Sequence, residues 1–437
     1  MVKKRNRRRR RRAQRGFMAW ALWKKVLAIA GGTLVLLTTA GVAFAASKLG
    51  KLETTTLDTD KLNISTEIEH NETGYLNVAL FGLDSRDGSL SSGERSDTII
   101  IASLNRQTKE VKLCSVFRDT LLQQPDGSYN KANAAYSTDD AEGAIAMLNK
   151  NLDMDIQHYV TVNFNALVDV IDELGGIELD LTGEEVFWTN GYCTETSRVT
   201  GKSTTELTKP GKQLLDGVQA TSYCRIRYTQ GDDFKRAERQ RTVLQEVVNK
   251  AQKADLSTIN RIIDKVFPKI ATNFTLTEIL AYAKDAFDYS LTEMEGFPFD
   301  KTTATLTDVG SSVIPEGFED NVTKLHNFFF GNDGYTPSSI VKSIGYEIQS
   351  YTAGNVTDED PSVYEIPEES YYYGENSGAT TENNDSTYTS DAENAQNGST
   401  LPENGSTNSS GGETTEIPET GTDNEAGFGD NQNNITE

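Results

Sequence analysis

Short apolar runs alternating with helically spaced segments predict an α/β fold. The expected architecture is a three-layer α/β/α sandwich with a mixed, mostly buried sheet, preceded by one transmembrane helix and followed by a disordered tail. Three observations carry that expectation. The first is the alternation itself, which runs through residues 75–352. The second is an uncharged stretch, Val26 to Ser47, directly behind a cluster of arginines. The third is a tail, 353–437, with 19 acidic residues and no basic one.

Charge divides the chain before any motif is read. The 437 residues hold 42 Lys and Arg against 65 Asp and Glu, a net of −23. Residues 1–25 carry 12 basic groups and no acidic one, whereas 47–352 carry 30 basic and 46 acidic. A single core built from every residue is therefore excluded. An acidic middle also argues against a general nucleic-acid binder, which needs a basic face. With three Cys and three His, a structural zinc cluster and a disulfide-rich scaffold are excluded too.

Residues 1–25 read as a basic cytoplasmic segment. Arg7 to Arg12 is unbroken, and Lys24 and Lys25 precede the uncharged stretch 26–47. As a helix that stretch would rise about 30 Å, the thickness of a bilayer's hydrocarbon core. Basic residues on its N-terminal side place that end in the cytoplasm and the remainder of the chain outside. Ala43-Phe44-Ala45 leaves a cleaved signal peptide open as the other reading, although the apolar stretch is longer than usual for one. Both readings export the chain.

Residues 48–74 are polar and weakly patterned, and read as a stalk. Tyr75–Leu83 alternates and ends in Gly and Asp, as a strand running into a loop does. Thr98–Leu104 and Val111–Val116 are apolar runs joined by a hairpin-length connector, and suit strands buried on both faces. Helical spacing follows over Asp139–Asn151, with Ala141, Ile145 and Leu148 on one side. His158–Asn163 reads as a strand, Asn165–Leu174 as a helix stopped by Gly175-Gly176, and Ile177–Leu181 as a strand. Further helices are expected over Asp233–Lys253, Ser257–Phe267, Thr277–Ala286 and Glu319–Phe330. From about Val356 the composition cannot bury enough surface to offset the entropy of ordering, so 353–437 reads as disordered.

Arginines gather with Asp in four loops of an otherwise acidic region. The clusters are Asp84-Ser85-Arg86, Arg95-Ser96-Asp97, Arg118-Asp119, and YCRIRYTQGDDFKRAERQR. In the last, Arg225 and Arg227 are expected on one strand face, with Arg236, Arg239 and Gln240 on the next helix. Arg236 and Gln240, four apart, share a helix face. Guanidinium forks grip phosphate oxygens bidentately, and Mg²⁺ takes oxygen ligands, often one or two carboxylates. One Arg-Asp pair on a loop is ordinarily a surface ion pair; four in one domain point to a phosphate site. His70, His158 and His326 stand beside no Ser or Cys that would make a nucleophilic triad, and read as structural.

LFGLDSR, RSDTIIIASLN, VKLCSVFRDT, NKANAAY, HYVTVNF, DELGGIELDL and YCRIRY…GDDFKRAERQR occur in that order. Together they resemble the LytR-CpsA-Psr family of membrane-anchored bacterial cell-wall enzymes, densely over about 75–255. The resemblance implies a phosphotransferase acting on a polyprenyl-pyrophosphate-linked glycopolymer of the wall teichoic acid or capsular polysaccharide class. It would pass the glycopolymer to a peptidoglycan hydroxyl at the outer side of the cytoplasmic membrane. By that resemblance Asp84 and Asp97 would hold Mg²⁺. Arg118, Arg225 and Arg227 would clamp phosphate, and Arg236 and Gln240 would complete the pocket. Asp233 would act as a base or orient an arginine, while Arg86, Arg95, Asp119 and Arg239 would brace the site. Phe117 departs from the Pro that is common before the Arg-Asp pair, and Asp232-Asp233 doubles an acid that many relatives have singly.

Cys193 and Cys224 flank about thirty residues in an exported domain, and are expected as a disulfide fixing the arginine segment. Cys114 reads as a small buried residue. Two other functions remain open from the sequence: a pyrophosphatase that hydrolyses the same lipid, and an envelope sensor or regulator using residues 1–25. No nucleic acid is expected as a partner.

Overall fold

The computed structural model describes Ser47 and residues 50–357, apart from 68–73, 86–89, 91–92, 228–231 and 332–333. The basic segment 1–25, the apolar stretch up to residue 46, Arg86 and the tail beyond 357 lie outside the described residues. Among those described, no helix is long and apolar enough to cross a membrane.

The first described element is a two-residue strand, β1 (Glu53–Thr54), followed by β2 (Tyr75–Leu83), β3 (Ser96–Asn105) and β4 (Glu110–Val116). A small hairpin, β5 (Leu121–Gln123) and β6 (Tyr129–Lys131), leads into helix α1 (Ala134–Leu152), strand β7 (His158–Asn163) and helix α2 (Phe164–Glu173). Then come β8 (Ile177–Leu181), α3 (Gly183–Thr200), β9 (Gly211–Leu215), α4 (Gly217–Tyr223) and α5 (Asp232–Ala251). The remainder is α6 (Leu256–Val266), β10 (Ile270–Thr272), α7 (Leu276–Ala283), β11 (Ser290–Phe297), β12 (Lys301–Leu306) and β13 (Gly310–Pro315). Helices α8 (Phe318–Phe330) and α9 (Ser339–Asn355) and strand β14 (Val356–Thr357) complete it.

Seven strands form one mixed sheet in the order β1-β10-β7-β2-β3-β4-β11. The β2–β3–β4 meander is antiparallel, while β7 joins β2, and β11 joins β4, in parallel. Because side chains alternate along a strand, each face has its own set. Ala79, Phe81 and Leu83 share the first face with Ile99, Ile101, Cys114 and Val116, and all are buried under residues of α1, α8 and α9. Helix α1 keeps Ile145 and Leu148 in this core and kinks at Asp139–Asp140, so the expected helix start at 139 is an internal break one turn in. On the second face Val78 and Leu80 of β2 and Val160 and Val162 of β7 are only half-buried. Helix α5, which packs against β8 and β11, runs on this side.

Three expectations need correction. The described part of the expected stalk, residues 50–67, is not a free one: β1 pairs with β10, and Leu62 is completely buried in the main core. Strand β8 forms where a strand is expected, and pairs with β9 outside the main sheet. Arg225 and Arg227 are not on a strand; they follow the C-terminus of α4, where Arg225 N donates to Ser222 O in a turn. Cys193 and Cys224 are free thiols, not a disulfide. Cys193 packs with Val168 and Val218, while Cys224 belongs to a separate apolar cluster with Ile171, Tyr223 and Ile226. Burial pushes the two thiols up to about 11 and about 12, so neither is a reactive thiolate.

Candidate active site

The site is built at the strand ends where β2 finishes, β3 begins and β4 finishes. Gly82 pairs with Thr98 but Leu83 pairs with Ser96, so Asp97 is the extra residue of a β-bulge. Bulges re-aim a side chain out of the regular alternation. Gly82 permits this one, since a Cβ there would meet Thr98 Cβ at 2.9 Å. Asp84 follows Leu83 directly, on the neighbouring strand end.

Asp97 is the hub. Its Oδ1 accepts from Arg118 Nη1 at 2.8 Å, and its Oδ2 from Arg227 Nη2 at 3.3 Å. Its backbone carbonyl accepts from Arg236 Nη2 at 3.3 Å. Three guanidinium groups from three chain segments thus meet at one acid. Burial alone would keep Asp97 neutral, yet Arg118, Arg236 and Arg227 hold its carboxyl below the usual carboxylate range.

Arg118 sits on a turn fixed by the backbone. Asn133 N donates to Arg118 O at 3.0 Å, Val313 N to Asp119 O at 2.9 Å, and Thr120 N to Phe117 O at 2.9 Å. Phe117 packs edge-on against Phe234 at 4.7 Å, with Lys301 Nζ about equally over both rings. The Phe in place of Pro therefore ties the Arg118 turn to the start of α5. Gly296 makes room for that ring, because a Cβ there would lie 2.5 Å from Phe117 Cζ.

Arg118 Nε also bonds Asp119 Oδ2 at 3.1 Å and lies 3.6 Å from Asp233 Oδ1. Asp233 in turn pairs with Arg236 Nη1 at 3.2 Å. Asp119 and Asp233 share a hydrogen bond, and the two carboxyls are driven apart. Burial and that bond push Asp119 up. Against its own burial, Asp233 is held far below the usual range by the bond from Asp119 and by Arg236, Arg118 and Arg227.

Arg225 lies at the edge of this group. Its Nη2 bonds Glu195 Oε2 at 2.8 Å and lies 3.7 Å from Asp84 Oδ2, its Nη1 bonds Thr196 Oγ1 at 3.2 Å, and its guanidinium stacks over Phe164 at 4.8 Å. Arg239 is not part of the cluster. It is buried with Glu185 Oε1 at 3.0 Å, while the other oxygen of Glu185 caps α3 through Thr182 N. Gln240 is half-buried on α5 and Arg95 is exposed.

Sequence reasoning missed Glu195, Thr196 and Glu185, which hold Arg225 and Arg239, and Lys131, whose Nζ lies 3.3 Å from Asp119 Oδ1. Lys131 falls inside the NKANAAY motif, and Thr182-x-x-Glu185 has the spacing of a capping box, so both had a local signal. Glu195 and Thr196 had none.

A family model described as LytR_cpsA_psr family matches residues 40–315. The polyisoprenyl-teichoic acid–peptidoglycan teichoic acid transferase TagU of Enterococcus faecalis (strain ATCC 700802 / V583) is 30% identical over 268 residues. That alignment covers 60% of this chain and 83% of the relative. TagV of Bacillus subtilis (strain 168), of the same description, is 30% identical over 227 residues, covering 51% of this chain and 56% of the relative. A solved structure described as TagT bound to LI-WTA superposes with a TM-score of 0.49 at 22% identity, over 63% of this chain and 99% of that one. With the family model spanning more than half of the sequence, and TagU matched over most of its length, the chain belongs to the LytR-CpsA-Psr family.

Proposed function

We propose that the protein is a phosphotransferase that moves a teichoic-acid-class glycopolymer from a polyprenyl-pyrophosphate carrier to peptidoglycan. The observation that carries this reading is the convergence of Arg118, Arg227 and Arg236 on Asp97. A diphosphate brings several negative charges to one place, and such a cluster neutralises them with oriented donors. TagU and TagV, by their descriptions, are transferases of teichoic acid to peptidoglycan.

In this reading Arg227, the most exposed of the cluster arginines, meets the phosphate first. Arg118 and Arg236 hold the charge that develops as the acceptor oxygen bonds to phosphorus and the bond to the carrier phosphate breaks. Asp233 is too well paired to be an effective base, so its role is to orient Arg118 and Arg236. Arg236 Nε, buried and without a hydrogen-bond acceptor among the described residues, leaves one further donor in the cluster. The polyprenyl chain needs an apolar bed. The half-buried second face, with Val78, Leu80, Val160 and Val162, suits it better than α1, whose apolar side chains are committed to the first face.

Among the described residues no group of three or more metal-ligating side chains occurs. Asp84 and Asp97, on adjoining strand ends, nonetheless fit an ion that draws its other ligands from water and phosphate, as Mg²⁺ commonly does. Bound there, Mg²⁺ would neutralise diphosphate charge. Asp84→Asn combined with Asp97→Asn should then abolish the Mg²⁺ dependence of lipid-diphosphate binding, and an unchanged titration would remove the metal from this reading.

The decisive experiment follows radiolabelled glycan supplied on its lipid diphosphate. Label entering peptidoglycan with release of lipid monophosphate is expected; label released only into water would make the protein a pyrophosphatase instead.

A further inference from the structure

Helix α7, LTEILAYA, is apolar in sequence, yet none of its residues is fully buried. Leu276 and Leu280, four apart on one face, are 36% and 41% exposed, and Phe287 just beyond is 62% exposed. Leu256, opening α6, is 81% exposed. Of the seven large apolar side chains most exposed among the described residues, four thus fall in 256–287. Three of them lie on the two helices that flank β10 in the chain, and Phe287 follows the second. The other three, Leu214, Tyr346 and Val356, are scattered. Singly exposed apolar groups need no explanation, but a concentration of them does.

The N-terminal segment is fastened to the same edge. Strand β1 is the outermost of the sheet and pairs with β10. Thr55 N donates to Thr272 O at 3.1 Å, and Lys51 Nζ bonds Asp264 of α6 at 2.7 Å. The uncharged stretch 26–47 ends only four residues before Lys51. Four extended residues reach at most about 14 Å. If 26–47 spans a bilayer, as the functional reading requires, the β1–β10 edge cannot stand far from the membrane surface.

We infer that this edge is a membrane-docking surface: Leu256, Leu276, Leu280 and Phe287 insert into the headgroup–acyl boundary of the bilayer that anchors the chain. The occupant is the lipid layer. The short tether brings it within reach, and apolar side chains without a protein cover are what that boundary accepts. The same seating serves the second face of the sheet. Its half-buried row Val162–Val160–His158 runs along β7 from the arginine end to Phe274, on which His158 stacks at 4.3 Å. Phe274 in turn meets Tyr282 of α7 at 6.0 Å. A lipid lying along that row would have its head at the arginines and its tail toward the docked edge.

This inference rests on the membrane-anchored reading, but its test needs no transfer chemistry. The full chain is reconstituted into phosphatidylglycerol–phosphatidylethanolamine vesicles, with a nitroxide on Leu280→Cys, Phe287→Cys or, as the aqueous control, Tyr346→Cys. The three native thiols are buried, and the unsubstituted chain serves as the labelling blank. At positions 280 and 287 oxygen should collide with the nitroxide more often than a water-soluble nickel chelate does, with the order reversed at 346. Chelate access at 280 and 287 equal to that at 346 would overturn the proposal. So would spin–spin broadening there, which would put a second copy on the face, or release of the chain from vesicles by alkaline carbonate, which would remove the tether. Transfer that fails while the labels sit in lipid would count against the chemistry and leave the docking surface standing.

Discussion

The two faces of the central sheet are made from alternate residues of the same strands, yet they differ in kind. Phe81 is 1% exposed and packs edge-on against Tyr136 at 5.1 Å, deep under α1. Leu80, its neighbour in sequence, is half-buried on the other side. One face is filled to completion by the protein's own helices. The other is left partly open beside the arginine cluster. The contrast teaches that burial in this domain is divided by side: the first face carries the closed core, and the second keeps a half-buried apolar row beside the arginines.

The sharpest way to separate the two is at the cluster itself. Arg227→Ala removes an arginine that is 35% exposed and bonded only at 3.3 Å. Transfer should fall by about 10³ or more, the scale of an arginine that stabilises phosphoryl-transfer charge, with the melting temperature unchanged. Full activity in a purified transfer assay would refute its place in the site. Phe81→Ala, on the closed face, should cost about 3–5 kcal/mol of stability by chemical denaturation. Leu80→Ala should cost about 1–2 kcal/mol, because less of that side chain is withdrawn from water, and should weaken binding of the lipid diphosphate. Equal destabilisation at 80 and 81 would erase the distinction between the faces.

A smaller effect concerns pH. Asp97 and Asp233 are held below their ordinary values, so their contribution to stability is present above about pH 4 and is lost as pH falls through their lowered values. Asp119 is raised, and contributes with the opposite sign: its part is present below about pH 4 and fades as pH rises through its raised value. The stability gap between the native chain and Asp97→Asn should therefore be wide at neutral pH and narrow on acidification. A gap constant across that range would mean Asp97 is not held by its arginines. Smallest of all is the effect of a reductant. With Cys193 and Cys224 in separate apolar clusters, dithiothreitol should leave the melting temperature where it was.

Much of the sheet was legible because long alternating or apolar runs such as Tyr75–Leu83 and His158–Asn163 carry a strong period. Site members at strand ends, Asp97 and Arg118 among them, were legible because charged residues stood out against apolar runs. What failed has physical reasons. The alternation of YCRIRY has the period of a strand, but its backbone is the end of a short helix and a turn. Strand β1 has two residues and so no period at all. Spacing between cysteines says nothing of where their Cβ vectors point. The acids that hold the arginines come from remote segments, Glu195 thirty residues from Arg225 and Glu185 fifty-four from Arg239, and only folding brings them together.

The bulge at Asp97 makes the arginine cluster hang on a count of residues. Strand β3 carries one residue more than β2 needs between the pairs Gly82–Thr98 and Leu83–Ser96. Deleting that residue would let the ladder close without interruption, and the sheet could remain whole. Arg118, Arg227 and Arg236 would then lose the one acid that bonds all three, leaving Asp119 and Asp233 to pair Arg118 and Arg236. A single lost codon would leave a folded protein in which Arg227 has lost its carboxylate.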